Sequence, residues 1–123
     1  MIKFRELDDH VGVREQLGDQ GEGPVTLINI FNVDAADVDQ LMAAWESDAR
    51  FLMEQPGYIS TQLHRGIAGS TTFLNYAVWE SVAHFRNAFT SPGFQAKLAA
   101  YPDSATAAPH LFRKLAVDGV CAD

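Results

Sequence analysis

Residues 24–117 predict an α+β fold, with two helices lying on one face of a four-stranded antiparallel sheet. Three observations carry this. Short runs rich in β-branched and aromatic residues stand at 25–33, 58–65, 71–80 and 110–117. Between the first two runs and between the last two, apolar residues instead recur at spacings of three and four, as on one face of a helix. The second and third runs are joined only by Gly66-Ile67-Ala68-Gly69-Ser70, which is short enough for an antiparallel hairpin.

Residues 1–23 are polar and mildly acidic and end in Gly21-Glu22-Gly23. They read as an arm ahead of the domain, with a short helical turn around Val11 to Leu17, lying on the domain or on a neighbour. The first strand runs from Val25 to Val33. Val25, Leu27 and Phe31 form one face and Ile28 and Ile30 the other, the pattern of a strand covered on both sides. Asn29 interrupts the first face. Asp34 suits a helix N-cap, and Val38, Leu41, Met42, Trp45, Ala49, Leu52 and Met53 mark an amphipathic helix. Gln55-Pro56-Gly57 ends that helix, since proline removes a ladder donor and glycine suits the exit turn.

Tyr58 to Arg65 and Thr71 to Glu80 form the hairpin. Ser81 caps a second helix reaching about Thr90, and Ser91-Pro92-Gly93 restarts a shorter one with proline at its first position. Phe94, Leu98 and Tyr101 share a face of this second piece. Residues 102–109 read as a small-residue loop. The last strand is expected at His110 to Val117, where Leu111, Leu115 and Val117 alternate with Arg113, and 118–123 as a tail. The order β-α-β-β-α-β is that of the ferredoxin-like plait.

Such a sheet carries its helices on one face, yet the first and third strands are apolar on both. On the third strand Leu74, Tyr76 and Val78 back Phe73, Ala77 and Trp79. Left in water, the second face would be a larger apolar patch than soluble monomers expose. Sheet-on-sheet packing across a two-fold axis removes it, so a homodimer is expected.

The totals narrow the function classes. A net charge of −7 and a pI near 4.9 argue against nucleic acid and anionic membranes as partners. Cys121 is the single cysteine, which leaves no intrachain disulfide and no thiolate metal site. The charged N-terminus does not resemble a signal peptide, and no apolar run approaches the ~20 residues of a membrane span. A cytoplasmic protein is expected. His10, His64, His84 and His110 have no ligand spacing and no glycine-rich phosphate loop follows a strand, so neither a metal nor another cofactor is expected.

The candidate site lies at residues 72–94. Asn75 and Trp79 stand four apart on a strand and point to the same side, together with Phe73 and Ala77. Phe85 and Phe89, at i and i+4 on the following helix, come over the same region. An amide and an indole N–H aimed into an aromatic-walled space make a small-molecule pocket. Arg86 adds positive charge if its helix turns it inward.

The stretches Gln-Pro-Gly-Tyr-Ile-Ser-Thr-Gln-Leu-His (55–64), Phe-Leu-Asn-Tyr-Ala-Val-Trp-Glu-Ser (73–81) and Phe85-Arg86 through Phe89 to Pro92-Gly93-Phe94 resemble the antibiotic biosynthesis monooxygenase superfamily. The resemblance spans about Pro24 to Ala116. It implies a dimeric α/β-barrel of ferredoxin-like protomers. In the anthrone-oxidising branch it further implies a cofactor-independent oxidation of a phenolic anthrone to a quinone with O2. That branch uses an asparagine and a tryptophan on the third strand, which fall on Asn75 and Trp79. It can also carry a tyrosine where Phe85 stands. The haem-degrading branch aligns its first-strand asparagine with Asn29 and its tryptophan with Trp79, but Leu98 occupies the position of its haem-ligating histidine.

Dioxygen reacts slowly with closed-shell molecules, so without a cofactor the substrate must supply the electrons. A deprotonated anthrone can. The expected function is a cofactor-independent monooxygenase acting on a small polycyclic phenolic or anthrone-like molecule. Asn75 and Trp79 would be catalytic as donors to the developing oxyanion, each contributing roughly 2–4 kcal/mol. Asn29, Phe73, Phe85, Arg86 and Phe89 would bind substrate. A non-enzymatic dimeric protein that binds an aromatic metabolite on the same scaffold is the alternative.

Overall fold

The computed structural model describes residues 1–121. Its sheet has five strands, β1 (Lys3–Phe4), β2 (Val25–Asn32), β3 (Tyr58–Arg65), β4 (Thr72–Trp79) and β5 (Thr106–Phe112), in the order β1-β5-β2-β4-β3. The four longer strands are mutually antiparallel where they pair, and their order is that of a ferredoxin-like sheet. The helices are α1 (Val13–Gln16), α2 (Val38–Leu52), α3 (Val82–Phe89) and α4 (Pro92–Lys97). Among the described residues no helix is long and apolar enough to cross a membrane.

Local chemistry accounts for most boundaries. The Ser81 hydroxyl accepts from the His84 N–H at 3.1 Å, and Ser91 accepts from the Phe94 N–H at 3.2 Å with Pro92 opening α4. Gly57 has φ +86°, and a Cβ there would lie 2.2 Å from the His84 ring, so the exit from α2 has room only for glycine. Asp34 departs from expectation. It heads a 3₁₀ turn, Ala35–Asp37, and its side chain caps nothing; α2 begins only at Val38.

The last strand also differs from its expected span of 110–117. β5 pairs with β2 from Asn32↔Thr106 to Thr26↔Phe112, and beyond Phe112 there is no strand left to pair with. The small residues 106–109 belong to the sheet because the core leaves no room for larger ones: Ala107 is fully buried, as is Ala105 just before the strand. Pro109 is tolerated because residues of its parity turn their backbone groups to the outer edge of β5, away from β2.

That edge is covered by the N-terminal segment. Lys3 and Arg5 donate to the carbonyls of Ala105 and Ala107, at 3.0 and 2.7 Å. The Gln16 side chain then takes over: its Oε1 accepts from the Leu111 N–H at 2.9 Å and its Nε2 donates to the Leu111 carbonyl at 3.0 Å. One carboxamide thus does for Leu111 what a neighbouring strand would do. Ile2, Val13 and Leu17 are buried, so the arm is packed on the domain. Gln16→Ala leaves both Leu111 groups without partners, and about 1–3 kcal/mol of stability should be lost. Thermal unfolding reads this directly, and the Leu111 amide should lose its protection from hydrogen exchange.

The core lies between the helices and one sheet face, in two clusters. Phe31, Val33, Leu41, Phe73, Phe94 and Tyr101 belong to one. Val25, Leu27, Ala77, Trp79, Val82 and Phe85 belong to the other. On the opposite sheet face Ile28, Ile30, Leu74 and Val78 are only half-buried, and Tyr76 and Phe112 are exposed.

Candidate functional site

The inward series of β2 reads Val25, Leu27, Asn29, Phe31, and that of β4 reads Phe73, Asn75, Ala77, Trp79. Asn29 and Asn75 are direct cross-strand partners, with Leu27↔Ala77 on one side and Phe31↔Phe73 on the other. The pair therefore falls where the two core clusters meet, and a cavity opens over it. Its floor is the two asparagines and Thr61. Trp79, Phe85 and Phe89 wall one side; Trp45, Asp48 and Leu52 of α2 form the roof. A β-bulge between Tyr58 and Ser60 shifts the phase of β3, so that Tyr58 and Thr61 both line the cavity although their spacing is odd. The enclosed space is about 40 Å³, room for a few water molecules.

The aromatic wall is continuous. The Trp79 ring meets Tyr58 edge-on at 5.7 Å and Phe85 at 5.8 Å, and Phe85 stacks on Phe89 at 5.1 Å. These contacts fix the orientation of the indole. Five of the half-buried lining residues, Trp45, Ala49 and Leu52 on α2 and Tyr58 and Thr61 on β3, mark the side between α2 and β3 as the one nearest solvent.

The polar groups are incompletely paired. Asn75 Oδ1 accepts from the Thr61 hydroxyl at 2.5 Å, which holds the amide and leaves its NH2 as a donor. Asn29 Oδ1 is buried without a partner. Asp48, 7% exposed, accepts from the Tyr101 hydroxyl at 2.9 Å through Oδ2, while its Oδ1 has no partner. Burial pushes the Asp48 carboxyl up to about 6, opposed by the Tyr101 hydrogen bond and the charge of Lys97. The Tyr101 hydroxyl is raised far above its ordinary value by burial and by the Asp48 charge, so it remains a donor. Burial also raises Tyr58. Among the described residues three buried side-chain polar atoms lack a partner, and two of them belong to residues that line this one cavity. A folded protein rarely leaves such atoms unmet.

Of the residues expected at the site, Asn29, Asn75, Trp79, Phe85 and Phe89 line the cavity. Phe73 does not. It sits one inward position further along β4, buried with Phe31 in the neighbouring cluster, under the guanidinium of Arg65 at 5.2 Å. Arg86 is turned the other way, its Nη1 donating to the Leu17 carbonyl at 2.7 Å, so it fastens the N-terminal segment. The helical period is the reason: Arg86 follows Phe85 by one residue, about 100° around α3. Sequence reasoning missed Asp48, Thr61 and Tyr58. Asp48 was findable, because it stands on the same helical stripe as Leu41 and Ala44, where a carboxylate is out of place. Among the described residues no cluster of three or more His, Cys, Asp or Glu side chains forms a metal site.

Comparison with known proteins bears on the fold and the family. No curated protein sequence matches the chain. The crystal structure of SnoaB, a cofactor-independent oxygenase from Streptomyces nogalater, is similar with a TM-score of 0.71 and 27% identity, over 79% of this chain and 98% of that one. A monooxygenase-like protein from Shewanella loihica PV-4 is 33% identical over 79% of this chain and 99% of its own, with a TM-score of 0.68. An antibiotic biosynthesis monooxygenase-like structure from Bordetella bronchiseptica shares the fold at 18% identity and a TM-score of 0.67, over 77% of this chain and the whole of its own. The sequence profile described as antibiotic biosynthesis monooxygenase matches residues 24–100, and the chain belongs to that family.

Proposed function

We propose that the protein is a cofactor-independent monooxygenase that oxidises a polycyclic phenolic or anthrone-like molecule to a quinone with O2. The observation that carries this reading is the pair of facing asparagines at the floor of an otherwise aromatic and aliphatic cavity, beside Trp79. Flat apolar walls suit a fused-ring substrate. Donors from Asn75 and Trp79 stabilise the oxyanion that forms when the substrate loses a proton, in a space where low polarity strengthens each hydrogen bond. Asn29 Oδ1 accepts from a substrate hydroxyl, which explains why it has no protein partner. The SnoaB likeness supports the absence of a cofactor requirement. The cavity must widen between α2 and β3 to admit three fused rings.

The test is oxygen uptake by the purified, metal-free protein with dithranol, a simple anthrone. Stoichiometric O2 consumption with quinone formation, above autoxidation, is expected without added flavin or metal. Tight binding of dithranol with no turnover would sink the oxygenase reading and favour a binding protein on the same scaffold.

The reading includes a homodimer formed through the outer sheet face, where Ile28, Ile30, Leu74 and Val78 leave an apolar surface half-open. Leu74→Lys places a charge opposite Ile30 in that surface. Sedimentation should show the wild type at twice the monomer mass and the variant as monomer; equal masses would remove the interface from this face.

A further inference from the structure

The oxidation needs a base. An anthrone enters as a neutral molecule and reacts with O2 only after losing a proton, and neither asparagine nor tryptophan takes a proton near neutral pH. The cavity contains one group that does.

Asp48 is anomalous as a structural residue. It occupies the buried stripe of α2, where Leu41 and Ala44 precede it at i−7 and i−4, and a carboxylate there is costly. Its bond to Tyr101 satisfies Oδ2 alone. A pair kept only for packing would satisfy both oxygens or be replaced by apolar residues. Instead Oδ1 is buried without a partner, on a residue that lines the cavity on the side of α2, across from Asn29 and Asn75. We propose that Asp48, through Oδ1, is the general base that takes the first proton from a substrate held against the two asparagines. This assignment rests on the oxygenase reading above.

The surroundings suit the task. Tyr101, in the segment after α4, fixes the carboxylate and stays protonated. Lys97 on α4 faces it with a favourable charge and is held by the Ser47 hydroxyl at 3.0 Å. Tyr58 on β3 is the other titratable group lining the cavity. Burial places the Asp48 carboxyl at about 6, so it is ionised at neutral pH yet far more basic than an exposed aspartate.

The protons balance. Oδ1 takes one hydrogen of the anthrone CH2 as H+, leaving the delocalised anion. The anion passes one electron to O2, and the carbon radical and superoxide combine in a C–O bond. The peroxide anion recovers the proton from Asp48. Oδ1 then removes the second C–H proton as the O–O bond breaks; hydroxide leaves, takes that proton and departs as water, and the carbon is a carbonyl. One O2 oxidises one CH2 to C=O with one water formed.

The experiment measures kcat/KM for dithranol from pH 5 to 8 in the wild type, Asp48→Asn and Tyr101→Phe. It adds thermal unfolding and the binding of 1,8-dihydroxyanthraquinone. The wild-type value is expected to rise with a midpoint near 6. Asp48→Asn, which keeps an acceptor for Tyr101, should lose roughly 10²- to 10⁴-fold and the pH limb with it, while still folded and binding the quinone within a few-fold. Tyr101→Phe should keep the limb with its midpoint moved up, because a hydrogen bond to the carboxylate is lost. An Asp48→Asn protein with wild-type rate and limb, or an unmoved midpoint in Tyr101→Phe, overturns the assignment and leaves the oxygenase reading standing. If the wild type turns over no dithranol, the oxygenase reading fails first. Quinone affinity then decides whether Asp48 faces a ligand: a step near pH 6 that Asp48→Asn abolishes supports it, and the same pH dependence in both proteins overturns it.

Discussion

Trp79→Phe is expected to lower kcat for anthrone oxidation by roughly 10²- to 10³-fold while the protein stays folded. The substitution removes the indole N–H but keeps an aromatic ring between Tyr58 and Phe85, whose edge-on contacts at 5.7 and 5.8 Å hold the wall together. A loss confined to kcat, with KM little changed, marks a bond made chiefly in the transition state. Asn75→Ala should act similarly but with a further sign: the Thr61 hydroxyl loses its acceptor, so stability should fall by about 1–2 kcal/mol. Steady-state kinetics beside thermal unfolding separates the two. An active Trp79→Phe enzyme would show that the ring serves only as wall. Trp79→Ala would not help, since emptying so buried a site costs about 3–5 kcal/mol and confounds activity with unfolding.

Asp48→Asn should make the protein more stable at neutral pH even as it disables it. The folded carboxyl titrates near 6, above the ordinary 3.8. Below about pH 4 it is neutral in both the folded and unfolded chain and costs nothing. As pH rises to about 6 the unfolded chain releases its proton while the folded one retains it, so stability falls through this window and then levels off. The shift corresponds to about 3 kcal/mol at roughly 1.4 kcal/mol per unit. The asparagine protein escapes this penalty, and its melting temperature should exceed the wild type's by roughly 10 °C at pH 7.5 and converge with it near pH 4. Asp8, Asp19 and Asp103 are lowered, so they act in the opposite direction; they are common to both proteins and cancel in the difference. A gap that does not vary with pH would mean that Asp48 is not held above its ordinary range.

Most of the fold was legible because alternation and helical spacing are local. β3 and its turn, the Ser81 and Ser91 caps and the proline-opened α4 all lie where the residues predict. The last strand differs from its expected place for a non-local reason: residues 113–117 have strand-like alternation but no strand of the sheet to pair with, whereas the weakly β-forming residues 106–109 are drawn into the sheet by β2 and the N-terminal segment. The cavity was half legible. Residues four apart on β4 and on α3 fix which way Asn75, Trp79, Phe85 and Phe89 point, so their convergence follows from spacing alone.

The α+β order, the inward faces of the strands and the polar interruption at Asn29 and Asn75 can be read from the residues alone, because each is a property of one element's period. The tertiary structure alone decided that these asparagines face each other and that Arg86 holds the N-terminal segment. It alone decided that Gln16 completes the sheet edge and that Asp48 roofs the cavity with one oxygen free. Those depend on register between strands and on where α2 docks. Both are set by the packing of the whole core, which no single stretch of chain encodes.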